Sequence, residues 1–174
     1  MNAVATPANV ANVAVPVRIV RETASDATAI DALVLAAFGP GRFAKTAERL
    51  REAAELAVGF CAFEGERLIG SVRLWSITVG ETRSVFLGPI AVDAASRRGG
   101  LGAELVRACL DEAKAMTLDG VLLIGDPPYF SRFGFVAAPQ AVFAGPVDPR
   151  RVMWLPISAA EPVGAVRPVK GRVA

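Results

Sequence analysis

The sequence predicts an α+β domain built on a mixed, mostly antiparallel sheet with helices packed against it. Three observations carry this expectation. Three apolar, strand-like runs between Leu56 and Val92 follow one another through short Gly-containing turns. A single amphipathic helix, from about Gly102 to Thr117, then leads into a short apolar strand, which requires one parallel crossover. Two helical stretches precede the hairpins, and helices do not alternate with every strand as in a doubly wound dinucleotide-binding domain.

Taken in order, Val17–Val20 is a β-branched run that reads as a first strand. Ser25-Asp26 follows as a plausible helix cap, and Ile30, Leu33, Val34 and Ala37 recur at helical spacing up to Phe38. Gly39-Pro40-Gly41 breaks that helix, and Lys45–Ala54 can form a second, shorter one with Leu50 inward. Leu56–Phe63 and Leu68–Val79 form a hairpin around Glu64-Gly65-Glu66-Arg67, and Gly80–Arg83 turns the chain into a third run, Ser84–Val92. In the next helix Leu101, Leu105, Ala108, Cys109, Ala113 and Met116 share one face. Asp119-Gly120 ends it, and Val121–Ile124 is wholly apolar, as a buried strand is. Asp126-Pro127-Pro128 opens a brief helix through Phe133, Phe135 starts another extended run, and Val152–Ile157 reads as a last strand.

Composition bounds the function. A chain of 174 residues suits one compact domain, expected over 17–174, with the Ala-, Val-, Asn- and Pro-rich segment 1–16 as a disordered tail. That segment lacks the early cations of a signal peptide, and no apolar run reaches the length of a membrane span. The 19 basic and 17 acidic residues leave a net charge of only +2, which argues against nucleic acid or an anionic membrane as obligate partner. There is no histidine, which removes every scheme that needs an imidazole base. Cys61 and Cys109 make neither a disulfide framework nor a metal cluster, so no metal is expected and a reducing cytoplasm is the expected compartment.

The informative stretch is Arg97-Arg98-Gly99-Gly100-Leu101-Gly102-Ala103, which joins the strand ending at Val92 to the amphipathic helix. Strand, glycine turn and helix N-terminus together present unpaired backbone N–H groups to a phosphate, and glycines let the oxygens approach. The bland alternative is a tight turn into a helix. A P-loop needs Lys-Ser/Thr after its last glycine, whereas Gly102 is followed by Ala103-Glu104, and the GxGxxG spacing of a dinucleotide site is absent.

Arg97-x-x-Gly100-x-Gly102 resembles the Q/R-x-x-G-x-G/A signature of the GNAT superfamily of N-acetyltransferases. Leu87-Gly88-Pro89-Ile90-Ala91-Val92 is similar to that family's splayed fourth strand, and Gly125–Phe135 to a segment of a bacterial subgroup. The resemblance covers roughly Val17 to Phe135. It implies acetyl-CoA as cosubstrate, held at its pyrophosphate by the backbone of Arg98 to Ala103. The backbone of Ile90, Ala91 and Val92 would run beside the pantetheine arm, with the Ile90 amide as oxyanion donor. A primary amine is the implied acceptor, attacking directly in a ternary complex. Phe38, Arg42, Phe43 and Trp75 are candidate acceptor walls, or core. Dimers are common in the family, and the sequence carries no interface signature.

The family's usual acid is a Tyr at the position held here by Phe130; the only tyrosine is Tyr129, one residue earlier. On a helix that offset turns the side chain by about 100°. Three readings stay open for Tyr129: a shifted general acid, a pocket wall, or core packing. For the base, Asp126 and Glu22 are candidates, Asp126 also reading as a helix cap. The alternative to catalysis is a CoA-binding sensor or interaction protein of the same fold.

Overall fold

The computed structural model describes residues 15–96 and 99–171. The expected tail up to residue 14, and the candidate residues Arg97 and Arg98, lie outside the described residues. In chain order the elements are β1 (Val17–Arg21), α1 (Ala27–Phe38), α2 (Thr46–Ala53), β2 (Leu56–Glu64), β3 (Arg67–Val79) and β4 (Thr82–Val92). There follow α3 (Leu101–Ala115), β5 (Gly120–Ile124), α4 (Pro127–Phe130), β6 (Val136–Ala137), β7 (Ala141–Val142), β8 (Val152–Pro156) and β9 (Gly164–Pro168).

The sheet runs β1-β2-β3-β4-β5-β8-β6, antiparallel at every step except the parallel pair β4–β5 bridged by α3. The expected mixed α+β sheet with one crossover around α3 is observed. Its two faces follow the strand alternation. Val85 and Leu87 of β4, and Val121 and Leu123 of β5, pack with Leu101, Leu105, Cys109 and Ala113 of α3. Phe86 and Leu122, the residues between them, face the other way and join Leu50 of α2, Ile77 and Trp154. On that second face Ile30 and Val34 of α1 cover Cys61 and Ala91. Each fully buried aliphatic side chain contributes about 1.5–3 kcal/mol, so these stripes hold α1, α2 and α3 to the sheet.

One expectation is refined and one needs correction. Asp26 stands at the N-cap of the first helix, within the expected Ser25-Asp26 region, but its side chain does not cap that helix. The helix is preceded by a 3-10 turn, Ala24–Asp26, whose cap is Thr23. The Asp26 carboxylate accepts from the Thr23 N–H (2.7 Å) and hydroxyl (2.8 Å), which holds its pKa below the ordinary carboxylate value. Nor is the run beginning at Val152 the last strand. β9 follows it, pairing with Ile77–Val79 of β3 where β2 no longer does. Only Val166 of its five residues is buried, so the alternation that marks a strand hardly registers in the sequence.

Candidate functional site

The site begins where two paired strands part. β4 and β5 are in register only over Ser84–Phe86 and Gly120–Leu122. Beyond that point β4 is bulged. Leu74 pairs with Leu87 and Val72 with Ile90, so Gly88 and Pro89 together face the single residue Arg73. Gly88 has φ +126°, a conformation that side-chain-bearing residues avoid. Its carbonyl accepts a hydrogen bond from the Trp75 indole at 2.6 Å, which fixes the bulge.

The register also says where the backbone groups past the bulge point. Asp93 N–H donates to the Ile69 carbonyl at 2.8 Å, which makes 93/69 and 91/71 the hydrogen-bonded pairs. Ile90 and Val92 occupy the alternate positions, so their N–H and C=O groups turn away from β3 into the gap left by β5. Their side chains are half-buried against the α3-side core. Ala91 points to the opposite face, under α1.

Across the gap lies the N-terminus of α3. Gly100 is its cap residue at φ +84°, and no side chain among the described residues caps the helix. A Cβ at Gly99 or Gly100 would meet open space, so both backbones are accessible to a ligand. Leu101 and Ala103 are buried and anchor this first turn, and Gly102 faces the cleft. Glu104 N–H donates to the Gly100 carbonyl at 3.1 Å, the first bond of the helix.

Tyr129 and Phe130, on α4, both line the cleft but have different neighbours. Phe130 is buried and packs edge-on against Phe135 at 5.8 Å, so close over Gly125 that a Cβ there would lie 2.3 Å from its ring. Tyr129 is half-buried and reaches toward α3: its hydroxyl lies 3.3 Å from where a Cβ on Gly102 would sit. The Arg132 guanidinium covers its ring at 4.0 Å. Asp126 occupies the cap position of α4, but only its carbonyl takes part, accepting from Tyr129 and Phe130 N–H. Its carboxylate makes no capping hydrogen bond and is exposed in the cleft.

The resulting cleft, about 520 Å³, passes through the sheet between β4 and β5. One mouth holds Val92, Gly102 and Tyr129, and the other lies beneath the α1–α2 connection with Phe38, Arg42, Lys45 and Arg51. Glu48, 7% exposed, accepts from Arg42 at 2.7 Å and from Arg51 at 3.2 Å. Arg51 stacks over Phe86 at 5.2 Å, and burial lowers its pKa against the opposing pull of Glu48. A second cavity, about 390 Å³, is formed by residues 136–140, 154, 156 and 158–163 with Glu161 as its single charged lining residue, a poor setting for acid–base or phosphate chemistry.

Of the other candidates, Glu22 is committed elsewhere. It makes a bidentate ion pair with Arg73 at 2.8 and 2.9 Å. Trp75 braces the bulge and Phe43 is exposed; neither lines the cleft, whereas Phe38 and Arg42 do. Cys61 and Cys109 are free and buried. Burial pushes the Cys61 thiol up to about 12 and raises that of Cys109 as well, which suits core residues and not nucleophiles. No cluster that could hold a metal occurs among the described residues, and no helix among them is long and apolar enough to cross a membrane. Lys45, Arg51 and Arg151 were not legible as cleft residues, because isolated cations on a short helix and a loop ordinarily read as a solvated surface.

The model of the acetyltransferase (GNAT) family matches residues 27–135, more than half of the chain. The chain belongs to that family. The uncharacterized N-acetyltransferase YhbS of Escherichia coli K12 is 38% identical over 116 residues, covering 65% of this chain and 70% of that protein. The crystal structure of the GNAT family N-acetyltransferase YhbS from Escherichia coli in complex with CoA aligns with a TM-score of 0.76 and 28% identity, over 92% of this chain and 94% of that one. A GNAT family acetyltransferase from Brucella melitensis, in complex with acetyl-CoA, shares the fold at a TM-score of 0.70 and 24% identity, over 88% and 96% of the two chains. The GNAT membership and fold expected from the glycine turn, the β4 segment and the Gly125–Phe135 segment are thus both found.

Proposed function

We propose that this GNAT chain transfers an acetyl group from acetyl-CoA to a primary amine, by direct attack within a ternary complex. The observation that carries the reading is the parting of β4 from β5. It leaves the N–H and C=O groups of Ile90 and Val92 facing a through-sheet cleft that ends at an uncapped glycine turn. Those groups fit an extended pantetheine arm, and the backbone from Gly99 to Ala103 fits its pyrophosphate. The CoA complexes of related GNAT proteins support the same assignment. When bound, acetyl-CoA supplies an activated acetyl carbonyl.

The chain's own residues do the rest. The Ile90 N–H donates toward the carbonyl oxygen as it gains negative charge, and the rigid bulge before it keeps that donor aimed. The Tyr129 hydroxyl supplies the proton that the departing sulfur takes up. The C–N bond forms as the C–S bond breaks, and the amine's surplus proton leaves through water or through the exposed Asp126 carboxylate. Buried, protonated Cys61 and Cys109 take no part, which favours direct attack over an acyl-cysteine. In this reading the domain spans residues 17–174 behind a tail over 1–16, and it works in the reducing cytoplasm, where both thiols stay free.

Calorimetric titration with acetyl-CoA tests the reading, beside a Gly99→Trp variant that fills the open space before α3. Micromolar binding, about −8 kcal/mol, that the variant loses is the expected outcome, followed by amine-dependent release of free thiol. A wild-type protein that binds no acetyl-CoA sinks the proposal.

A further inference from the structure

The cleft carries a chemical bias that acetyl-CoA does not explain. Its α1–α2 mouth holds the cations Arg42, Lys45 and Arg51, and Arg151 lines the cleft as well. The anions there are Asp126, which lines it, and Glu48, which pairs with Arg42 and Arg51. Positive charge therefore exceeds negative charge at the end of the cleft remote from the glycine turn. An amine with no further functional group would be repelled from such a place.

Arg51 gives that bias a direction. Its Nη1 donates to Glu48, and Nη2 lies near Gly88, 2.9 Å from where a Cβ would sit. Its Nε is fully buried and has no hydrogen-bond partner, and no acceptor for Nη2 is found among the described residues. Nε and Nη2 form the side-on fork of a guanidinium, the edge that takes both oxygens of one carboxylate. Arg73 uses that same edge to hold Glu22 in this protein. In Arg51 the fork lies beside the β4 bulge, with Phe86 stacked on the guanidinium face and Glu48 bracing the remaining nitrogen. Protein atoms cover Nε, so a ligand oxygen would enter at Nη2, beside the cleft-lining Gly88, and complete the fork by displacing that cover. Relief of a buried donor left unpaired favours this.

We propose that the acetyl acceptor is a small amine carrying a carboxylate, of the amino-acid class, and that the Nε/Nη2 edge of Arg51 binds that carboxylate. Arg42 and Lys45 add charge at the rim and steer the anion inward. The inference rests on the transferase reading above. It adds a specificity-determining residue from a helix that the glycine signature does not reach.

The test uses protein labelled with ¹⁵N at arginine and loaded with CoA. The Arg51 Nε–H resonance is assigned by its absence from Arg51→Lys, a change that leaves a cation for Glu48. Amino acids and their carboxamides are titrated in parallel, and the same pairs are then offered as acceptors with acetyl-CoA. Carboxylate-bearing amines should shift the Arg51 resonance, the amides should not, and kcat/KM should favour the acids by about tenfold or more. Arg51→Lys should raise KM for the acids while acetyl-CoA still binds by calorimetry. An Arg51 signal unmoved by every amino acid, or moved equally by the amides, overturns the proposal. Loss of acetyl-CoA binding by the wild type would instead remove the transferase reading beneath it.

Discussion

The Tyr129 hydroxyl lies against the first turn of α3, 3.3 Å from the position a Cβ would take on Gly102. Phe130 packs beside Phe135 at the inner wall of the cleft, and Tyr129 lines the cleft on its α3 side. If Tyr129 is the proton donor, Tyr129→Phe lowers kcat by about 10²–10⁴ and changes acetyl-CoA affinity little. Thiol-release kinetics beside calorimetry check both halves. Phe130→Tyr should rescue nothing, and burying its hydroxyl should cost about 1–3 kcal/mol, read as a lower Tm.

Gly102 itself is a sensitive position. Gly102→Ala adds a methyl that presses on the Tyr129 oxygen, while alanine favours the helix over glycine by up to about 1 kcal/mol. Stability should change little and kcat should fall. A variant that keeps full kcat would argue against Tyr129 acting from its present place.

Glu22 and Arg73 form a buried bidentate pair, with side chains 8% and 14% exposed. Arg73 also lies over the Trp75 ring, and Trp75 holds the Gly88 carbonyl of the bulge. Glu22→Ala should destabilise the protein by about 3–5 kcal/mol, because it leaves the guanidinium buried without its carboxylate. Urea denaturation measures this. A change below 1 kcal/mol, roughly that of an exposed pair, would contradict the burial of Arg73.

Asp119 ties the start of β4 to the segment after β8. Its carboxylate accepts from the Arg83 N–H at 2.8 Å and from the Ser158 hydroxyl at 2.7 Å, and these bonds, the backbone one foremost, lower its pKa. A depressed carboxyl stabilises the fold above its unfolded pKa, about 3.9, and loses that contribution as pH falls through the lower folded value. The Tm advantage of wild type over Asp119→Asn should hold at neutral pH and fade below about pH 4. An advantage that persists unchanged into stronger acid would count against the bonded carboxylate.

Buried thiols give a further check. Cys61, pushed up to about 12, and the equally buried Cys109 should resist a thiol reagent in the native protein and react together once urea unfolds it. Fast labelling of either in the folded state would show that its part of the core opens locally.

Most elements were legible because local pattern and tertiary burial agree. The α3 stripe of Leu101, Leu105, Cys109 and Ala113 is the face that packs on the sheet. The hairpin turns at Gly65 and Gly80 have the positive φ values that glycine accepts, +60° and +55°. β9 escaped notice because its strand character comes from pairing with β3, and it buries too little to show a period. The 3-10 turn before α1 was not legible, because three residues are too few to show a period. The bond from Thr23 N–H to the Asp26 carboxylate singles out Thr23 as that turn's cap.

By itself the sequence determined the fold class, the family, and the glycine turn between β4 and α3. Those features depend on residue types at fixed local spacing, and spacing survives without coordinates. Only the tertiary structure decided that the Tyr129 hydroxyl meets the first turn of α3 while Phe130 packs on Phe135, that Glu22 is locked to Arg73, and that Arg51 keeps an unpaired Nε. Each of these is a contact between residues distant in sequence or a rotation about one short helix. Such relations are fixed by packing, which no local pattern records.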